Sequence, residues 1–142
     1  MKNYSYSFTT ERSPKDVFEL LLNIEKWWSG IYQEKITGNA IEIGDEFSFS
    51  AGGGMHSSTQ KLVELIPNKK IVWQVTESKL SYLHNPVEWE NTYIIFEVSE
   101  KEKETEVTFT HRGLLPDIEC YQECSTAWTQ YLQALAEKLR NR

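Results

Sequence analysis

The feature that most constrains the fold is an amphipathic pattern in the last quarter of the chain. Apolar or small side chains recur there at spacings of three and four residues: Ile118, Tyr121, Ser125, Trp128, Leu132, Leu135 and Leu139. This spacing places them on one face of an α-helix. We predict a single helix from Pro116 to Arg140, roughly 36 Å long at 1.5 Å per residue. Such a helix has to bury its apolar face against other elements.

The ends and the middle of this predicted helix carry further signals. Asp117 and Glu119 would lie in the first turn, and Lys138 and Arg140 in the last turn. These charges would complement the helix dipole at both ends. The small polar side chain of Ser125 interrupts the apolar face near its middle. A helix face that is apolar at both ends and recessed between them can cover a cavity.

The rest of the chain is predicted to be mostly β-structure. Alternating apolar and polar residues predict strands at 3–10, 46–50, 57–66, 71–76, 91–99 and 105–112. Ser13 and Pro14 predict a helix start, and the helix should end near Asn23 before a second short turn at 24–28. Strands that follow one another should pair antiparallel. We predict one α+β domain over 1–142, with a curved antiparallel sheet of six to seven strands around the C-terminal helix.

Three short segments leave alternatives open. The run 52–54 consists of glycine but lacks the lysine and hydroxyl residue of a phosphate-binding loop, so a hairpin loop is expected. Segment 79–89 is irregular and aromatic, and it either folds over an opening or packs on the outside of the sheet. For Trp27 and Trp28, either one ring fills the core while the other lies on the surface, or one ring lies at a pocket mouth.

Charge and hydropathy exclude several classes of partner. The 142-residue chain carries a formal net charge of -6, which disfavours nucleic acid and anionic membranes because both require basic surfaces. Apolar runs long enough to span a membrane or form a signal peptide do not occur. We therefore expect a cytoplasmic protein. Cys120 and Cys124 lie one helical turn apart, where a disulfide would be strained, so reduced thiols are predicted.

Several loose motifs, taken in order, resemble a known family. They are Ser13-Pro14 with Val17-Phe18, Trp27-Trp28, segment 61–67 with 71–73, segment 105–108 with 111–113, and Trp128 with Leu132 and Leu135. Their order resembles the START-like superfamily, also called SRPBCC or birch-pollen-allergen-like. Within it, the chain is most similar to the C-terminal-like domain of activators of heat-shock protein 90 ATPase. The resemblance implies a helix-grip fold with a cavity between the long helix and the concave face of the sheet.

The resemblance also implies a set of functions. Members of the superfamily include lipid carriers, hormone receptors, polyketide cyclases and aromatases, and the cavity commonly holds an apolar small molecule. We expect non-catalytic binding of a small apolar or aromatic molecule without a cofactor or metal. One alternative is an enzyme of the cyclase, aromatase or hydrolase type that uses His111. Another is a chaperone-interacting module, although a chaperone partner is not expected. A homodimer is a further hypothesis.

The candidate pocket residues combine broad apolar surfaces with a few polar groups, as ligand sites usually do. The apolar candidates are Trp28, Phe49, Trp73, Phe96, Phe109, Tyr121 and Trp128. Tyr121, Ser125 and His111 would supply the polar contacts that orient a ligand. None of these residues is assigned a catalytic role.

His111 has two interpretations. Strand alternation points it to the same side as Phe109, where it is either a hydrogen-bonded core histidine or a proton donor that lines the pocket. His56 and His84 lie in or near loops and are expected to be exposed. A metal site formed by His111 and the two cysteines is not expected, because the spacing matches no established zinc motif.

Ser125 also has two interpretations. It could meet His111 across a cavity as the nucleophile of a hydrolase pair, or it could be a small residue that shapes the cavity. The sequence around Ser125 lacks the strained turn typical of a nucleophile. Glu88, Glu90 and Glu97 lie near or within strands, but no two of them form a pair for acid–base chemistry.

Overall fold

The structure is a computed structural model that describes residues 2–38 and 41–140. Within these residues, seven strands form one antiparallel sheet in the order β1-β7-β6-β5-β4-β3-β2. The strands are β1 (Tyr4–Thr10), β2 (Lys35–Gly38), β3 (Glu46–Ala51), β4 (His56–Ile66), β5 (Lys70–Leu80), β6 (Tyr93–Lys101) and β7 (Glu104–Arg112). The helices are α1 (Pro14–Leu22), α2 (Ile24–Trp27) and α3 (Tyr121–Arg140). The predicted helix-grip α+β fold is confirmed.

Helix α1 forms as its sequence signals predict. The Ser13 hydroxyl accepts a hydrogen bond from the Asp16 amide at 3.1 Å, which satisfies one of the free amides of the first turn. The helix ends at Leu22 with Asn23 as its C-cap, in agreement with the predicted end near Asn23. Its buried side chains are Val17, Phe18, Leu20 and Leu21, and these anchor the segment between β1 and α2 to the core.

Helix α3 begins later than the sequence predicted. It starts at Tyr121 and not at Pro116, because the preceding backbone bonds to a side chain from another segment. The amides of Glu119 and Cys120 donate to the Glu88 carboxylate at 2.8 and 2.9 Å. Asp117 and Glu119 therefore lie before the helix, and the placement of both in its first turn is wrong.

The buried face of α3 differs in part from the predicted face. Its buried side chains are Cys124, Trp128, Tyr131, Leu132, Leu135 and Leu139. Tyr121 and Ser125 are only half-buried. The helix is tied to β1 at the Tyr4 hydroxyl, which lies 2.6 Å from the Thr129 hydroxyl oxygen. The predicted burial of Trp128, Leu132, Leu135 and Leu139 is therefore confirmed. In the first turns of the helix, Cys124 is buried in place of the predicted Tyr121 and Ser125.

Strands β4 and β5 extend further toward one end of the sheet than the alternation pattern indicated. Strand β5 continues to Leu80, which pairs with His56 at the start of β4. The glycine run 52–54 forms the exposed turn between β3 and β4, so the predicted hairpin loop is confirmed. The Ser81 amide donates to the Met55 carbonyl at 2.9 Å. This pairing brings the β3–β4 turn next to the loop at 81–92.

The two cysteines form a disulfide, so the prediction of reduced thiols is wrong. Cys120 precedes the first residue of α3, and its Cα lies 5.5 Å from that of Cys124. This separation is within the range that a disulfide bridges. Across residues 2–38 and 41–140, no helix is both long enough and apolar enough to cross a membrane.

Candidate functional site

A cavity of about 990 Å³ opens beside the N-terminal half of α3. Its wall comes from four places: the segment after α2, the β3–β4 hairpin, the loop 81–92 and the start of α3. The lining residues are Trp28, Tyr32, Phe49, Ala51, Gly52, Met55, His56, Tyr82, Trp89, Glu119, Gln122, Glu123, Cys124, Thr126, Ala127, Trp128 and Tyr131. This volume lies at the upper end of the roughly 300–1,000 Å³ that is usual for small-molecule sites.

Stacked aromatic rings form much of the wall. Trp28 stacks on Phe49 with ring centroids 4.0 Å apart and on Trp128 with centroids 4.9 Å apart. Trp89 lies parallel to Trp128, with an interplanar angle of 8° and centroids 6.0 Å apart. Rings packed in this way restrict one another's rotamers. The cavity therefore has a preformed aromatic wall.

A chain of three buried hydrogen bonds through His111 links the Trp128 ring to the backbone of Trp89. The Trp128 indole N–H donates to His111 Nδ1 at 3.1 Å. Because an indole is only a donor, Nδ1 is the acceptor and the imidazole proton sits on Nε2. His111 Nε2 then donates to the Thr92 hydroxyl at 2.8 Å, and that hydroxyl donates to the Trp89 carbonyl at 2.6 Å. His111 thus positions Trp128 on the helix and Trp89 in the loop.

His111 is the core histidine of the first interpretation. Its side chain is fully buried, it is absent from the cavity wall, and both ring nitrogens have partners. Burial, and secondarily the nearby His56, lower its pKa to about 3. The ring is therefore neutral at physiological pH and offers no free nitrogen to a substrate.

His56 lies in the cavity wall, and its predicted exposure is wrong. It begins β4, and its ring stands edge-to-face with Trp89 at a centroid distance of 4.6 Å. Burial lowers its pKa to about 4. The adjacent glycine run concealed the start of the strand from the alternation pattern. His84 is exposed, as predicted.

The two adjacent tryptophans are both buried, so the expectation of one ring on the surface is wrong. Trp27 fills the core and donates its indole N–H to the Leu21 carbonyl at 2.8 Å. Trp28 lines the cavity, which agrees with the alternative that placed one ring at a pocket. The two rings stack on each other with centroids 5.8 Å apart.

The predicted pocket residues divide into three groups. Trp28, Phe49 and Trp128 line the cavity. The second group is buried in the core away from the wall: Trp73, Phe96, Phe109 and His111. Tyr121 and Ser125 are half-buried on α3 outside the wall, and the Ser125 hydroxyl donates to the Gln122 carbonyl of its own helix at 3.2 Å. Ligand contact by any of them stays a prediction.

Four aromatic wall residues were missed from the sequence: Tyr32, Tyr82, Trp89 and Tyr131. Tyr131 had a signal, because it lies three residues after Trp128 and so on a neighbouring part of the same helix surface. The sequence also contains a signal for Tyr82 and Trp89, because the irregular segment around them is rich in aromatic side chains. The structure matches the alternative in which that segment folds over an opening.

Glu34 fixes the segment that carries Tyr32. Its carboxylate accepts hydrogen bonds from the Gly30 and Tyr32 amides at 2.7 and 2.8 Å, and also from the Tyr131 hydroxyl. Burial by itself raises the pKa of Glu34, but the hydrogen bonds from Tyr131 and Tyr32 outweigh it, and the pKa lies below its ordinary value. Burial, then the bond to Glu34, raises the pKa of Tyr131.

Two carboxylates hold the loop 81–92 against the start of α3. Glu88 in the loop accepts from the Glu119 and Cys120 amides, as described above. In return, the Glu119 carboxylate accepts from the His84 and Asn85 amides at 3.0 and 3.2 Å. This reciprocal pair of contacts satisfies four backbone donors and keeps the loop over the cavity.

The described residues contain no group of three or more His, Cys, Asp or Glu side chains that could hold a metal ion. The wall residues are mostly aromatic and aliphatic, with a few polar groups among them. This arrangement can bind an organic molecule by burial and ring stacking.

Comparison with known proteins gives the family. Residues 11–140 match the family described as activator of Hsp90 ATPase homolog 1-like protein, AHSA1. The chain belongs to the AHSA1 family. This match covers nearly the whole chain and confirms the resemblance seen in the sequence motifs. No curated protein matches the AHSA1 chain in sequence.

Solved structures share the fold of this AHSA1 chain. The solution structure of the Aha1 dimer from Colwellia psychrerythraea is 27% identical, with a TM-score of 0.77 over 99% of this chain and 97% of that one. A protein from Chromobacterium violaceum is 16% identical, with a TM-score of 0.71 over 96% of each chain. A protein from Rhizobium leguminosarum is 14% identical, with a TM-score of 0.72 over 99% of this chain and 97% of that one. The last two identities support the fold alone.

Proposed function

We propose that this AHSA1-family chain binds a small apolar or aromatic molecule in the cavity beside α3 without transforming it. The observation that carries the proposal is the cavity of about 990 Å³ with an aromatic wall that is already ordered. The hydrogen bonds of His111 fix the Trp128 ring and, through Thr92, the backbone of Trp89, and the Glu34 carboxylate fixes the Tyr131 hydroxyl. A site that is ordered before binding loses less conformational entropy when the ligand enters.

The engagement of the candidate catalytic groups supports binding without chemistry. His111 has both nitrogens occupied and lies outside the wall, and the Ser125 hydroxyl bonds within its own helix. A nucleophile needs a base within hydrogen-bond reach, and these two residues do not provide that pair. The cavity is therefore better suited to hold a molecule than to transform it.

Filling the cavity tests this proposal. Ala127 lines the cavity from α3 and is half-buried, so Ala127→Phe would place a ring in the ligand's space. We expect N-phenyl-1-naphthylamine, a neutral fluorescent probe, to bind the unmodified protein and to bind Ala127→Phe roughly tenfold more weakly, the equivalent of one lost ring contact. Fluorescence titration gives both dissociation constants.

The control for this experiment adds the same ring elsewhere on the same helix. Gln133 is exposed and is not a wall residue, so Gln133→Phe should leave the probe affinity unchanged. Equal affinity of Ala127→Phe and Gln133→Phe would contradict the proposal, as would a complete lack of probe binding by the unmodified protein.

A second candidate function comes from the family itself, whose description names activation of the Hsp90 ATPase. In that case the chain would act through its surface and the cavity would be incidental. The ATPase rate of a purified chaperone of this type, measured with and without the chain, separates the two functions. Stimulation that Ala127→Phe retains in full would favour the chaperone function over cavity binding.

A homodimer is a further proposal for this chain. It is supported by the Colwellia psychrerythraea relative, which was solved as an Aha1 dimer, and by exposed apolar side chains that follow β2. Ile41 and Ile43 are 50% and 60% exposed, and a partner chain could cover both. Light scattering during size-exclusion chromatography tests it, and a monomer mass at all concentrations would overturn it.

A further inference from the structure

The charged side chains in the cavity wall all have the same sign. Glu119 and Glu123 are the two carboxylates among the lining residues, and the wall within the described part of the chain contains neither lysine nor arginine. Glu123 is exposed in the first turn of α3, beside the aromatic wall. A ligand that enters the cavity therefore meets negative charge at this edge.

The remaining titratable groups of the wall add no positive charge. Burial lowers the pKa of His56 to about 4, so its imidazole is neutral at physiological pH. Burial, and then the charges of Glu123 and Glu88, raise the pKa of Tyr82 to about 12. The wall consequently presents carboxylates and neutral rings but no cationic group that could neutralise an anionic ligand.

The tryptophans of the wall supply apolar area and do not change its charge. Three of them line the cavity: Trp28, Trp89 and Trp128. Neighbouring rings cover their faces, because Trp128 stacks on both Trp28 and Trp89 and each of the three side chains is 2% exposed. The carboxylates therefore set the sign of the charge at the cavity.

We propose that the ligand of this cavity is an apolar cation, an organic ammonium group attached to an aromatic or aliphatic body. This inference rests on the proposed function, because it names the chemical class that the binding cavity selects. A neutral molecule of the same shape gains only burial. An anion loses its hydration and then faces the carboxylates of Glu119 and Glu123 without a cationic partner. The expected order of affinity is therefore cation, neutral molecule, anion.

Three probes of matched shape test this order. Benzyltrimethylammonium, neopentylbenzene and phenylmethanesulfonate each join a benzyl group to a tetrahedral head that is positive, neutral or negative. Their affinities are measured by displacement of N-phenyl-1-naphthylamine at low ionic strength. We expect the cation to bind about tenfold more tightly than the neutral probe, as expected for two partly screened carboxylates, and the anion to bind least. Added salt should lower the affinity for the cation and leave the affinity for the neutral probe unchanged.

A charge variant tests the contribution of the carboxylate. Glu123→Gln should lower the affinity for benzyltrimethylammonium about threefold, as expected for one partly screened charge. The affinity for neopentylbenzene should not change. Glu100→Gln removes an exposed carboxylate from β6, outside the wall, and should change neither affinity.

The outcomes separate this inference from the proposed function. If the naphthylamine probe binds but the neutral or anionic benzyl probe binds as tightly as the cation or more tightly, the proposed preference for cations is wrong. The proposed binding function is then retained. If the naphthylamine and all three benzyl probes fail to bind, both proposals are wrong.

Discussion

Replacing Trp128 by alanine is expected to lower the free energy of unfolding by about 3–5 kcal/mol. The side chain is 2% exposed and stacks on Trp28 and Trp89, so its removal leaves a large void at the junction of core and cavity. The change also removes the donor to His111 Nδ1, which leaves a buried acceptor unpaired. A loss of this size is comparable to the whole stability of many small domains.

Two further variants separate the contributions of packing and hydrogen bonding. Trp128→Phe keeps a ring but loses the indole N–H, and we expect it to cost about 1–3 kcal/mol. Gln133→Ala, at an exposed position of the same helix, should change the stability by less than about 0.5 kcal/mol. Urea denaturation at constant pH provides the values. If Trp128→Ala unfolds within about 1 kcal/mol of the unmodified protein, the central position given to this ring is wrong.

Acidification from pH 7 to pH 5 is expected to lower the free energy of unfolding by about 4 kcal/mol. The cause is two buried neutral histidines, since burial lowers the pKa of His111 to about 3 and that of His56 to about 4, against an ordinary value of 6.5. Above pH 6.5 the folded and unfolded states are both neutral at these rings. Below pH 6.5, only the unfolded state takes up the protons. The free energy of unfolding therefore decreases as the pH is lowered from 6.5 to the pKa values of the folded state. Each histidine contributes about 1.4 kcal/mol per pH unit in that interval.

Histidine variants assign this pH dependence. His56→Gln should reduce the loss between pH 7 and pH 5 to about 2 kcal/mol, because one of the two buried rings is gone. His84→Gln changes an exposed histidine and should retain the full loss. Urea midpoints at the two pH values give the comparison. Equal stability of the unmodified protein at pH 7 and pH 5 would show that the two rings are not buried neutral.

The fold could be predicted from the sequence because its signals are local and repeated. Period-two alternation marks β3 and β7, and the Ser13-Pro14 pair marks the start of α1. The boundaries that were wrong depend on contacts between distant segments. Helix α3 starts at Tyr121 and not at Pro116 because Glu88, more than 30 residues away, binds the two amides that precede it.

The site was less predictable than the fold for the same reason. The sequence indicates that Trp28, Phe49 and Trp128 face inward, but it does not distinguish the cavity wall from the core beneath it. That distinction depends on the loop 81–92, whose irregular sequence has no periodicity to interpret. His56 was placed on the surface because the strand that buries it begins directly after a glycine turn.

Native mass spectrometry of the freshly purified protein tests the central claim most directly. The account predicts a species heavier than the 16.6 kDa chain by one small molecule per chain, which is released on denaturation and identified as an apolar organic cation. The same measurement on Ala127→Phe should show a smaller fraction of the chain carrying this molecule. If the unmodified protein has only its own mass, under conditions in which a known lipid carrier keeps its ligand, the binding function is contradicted.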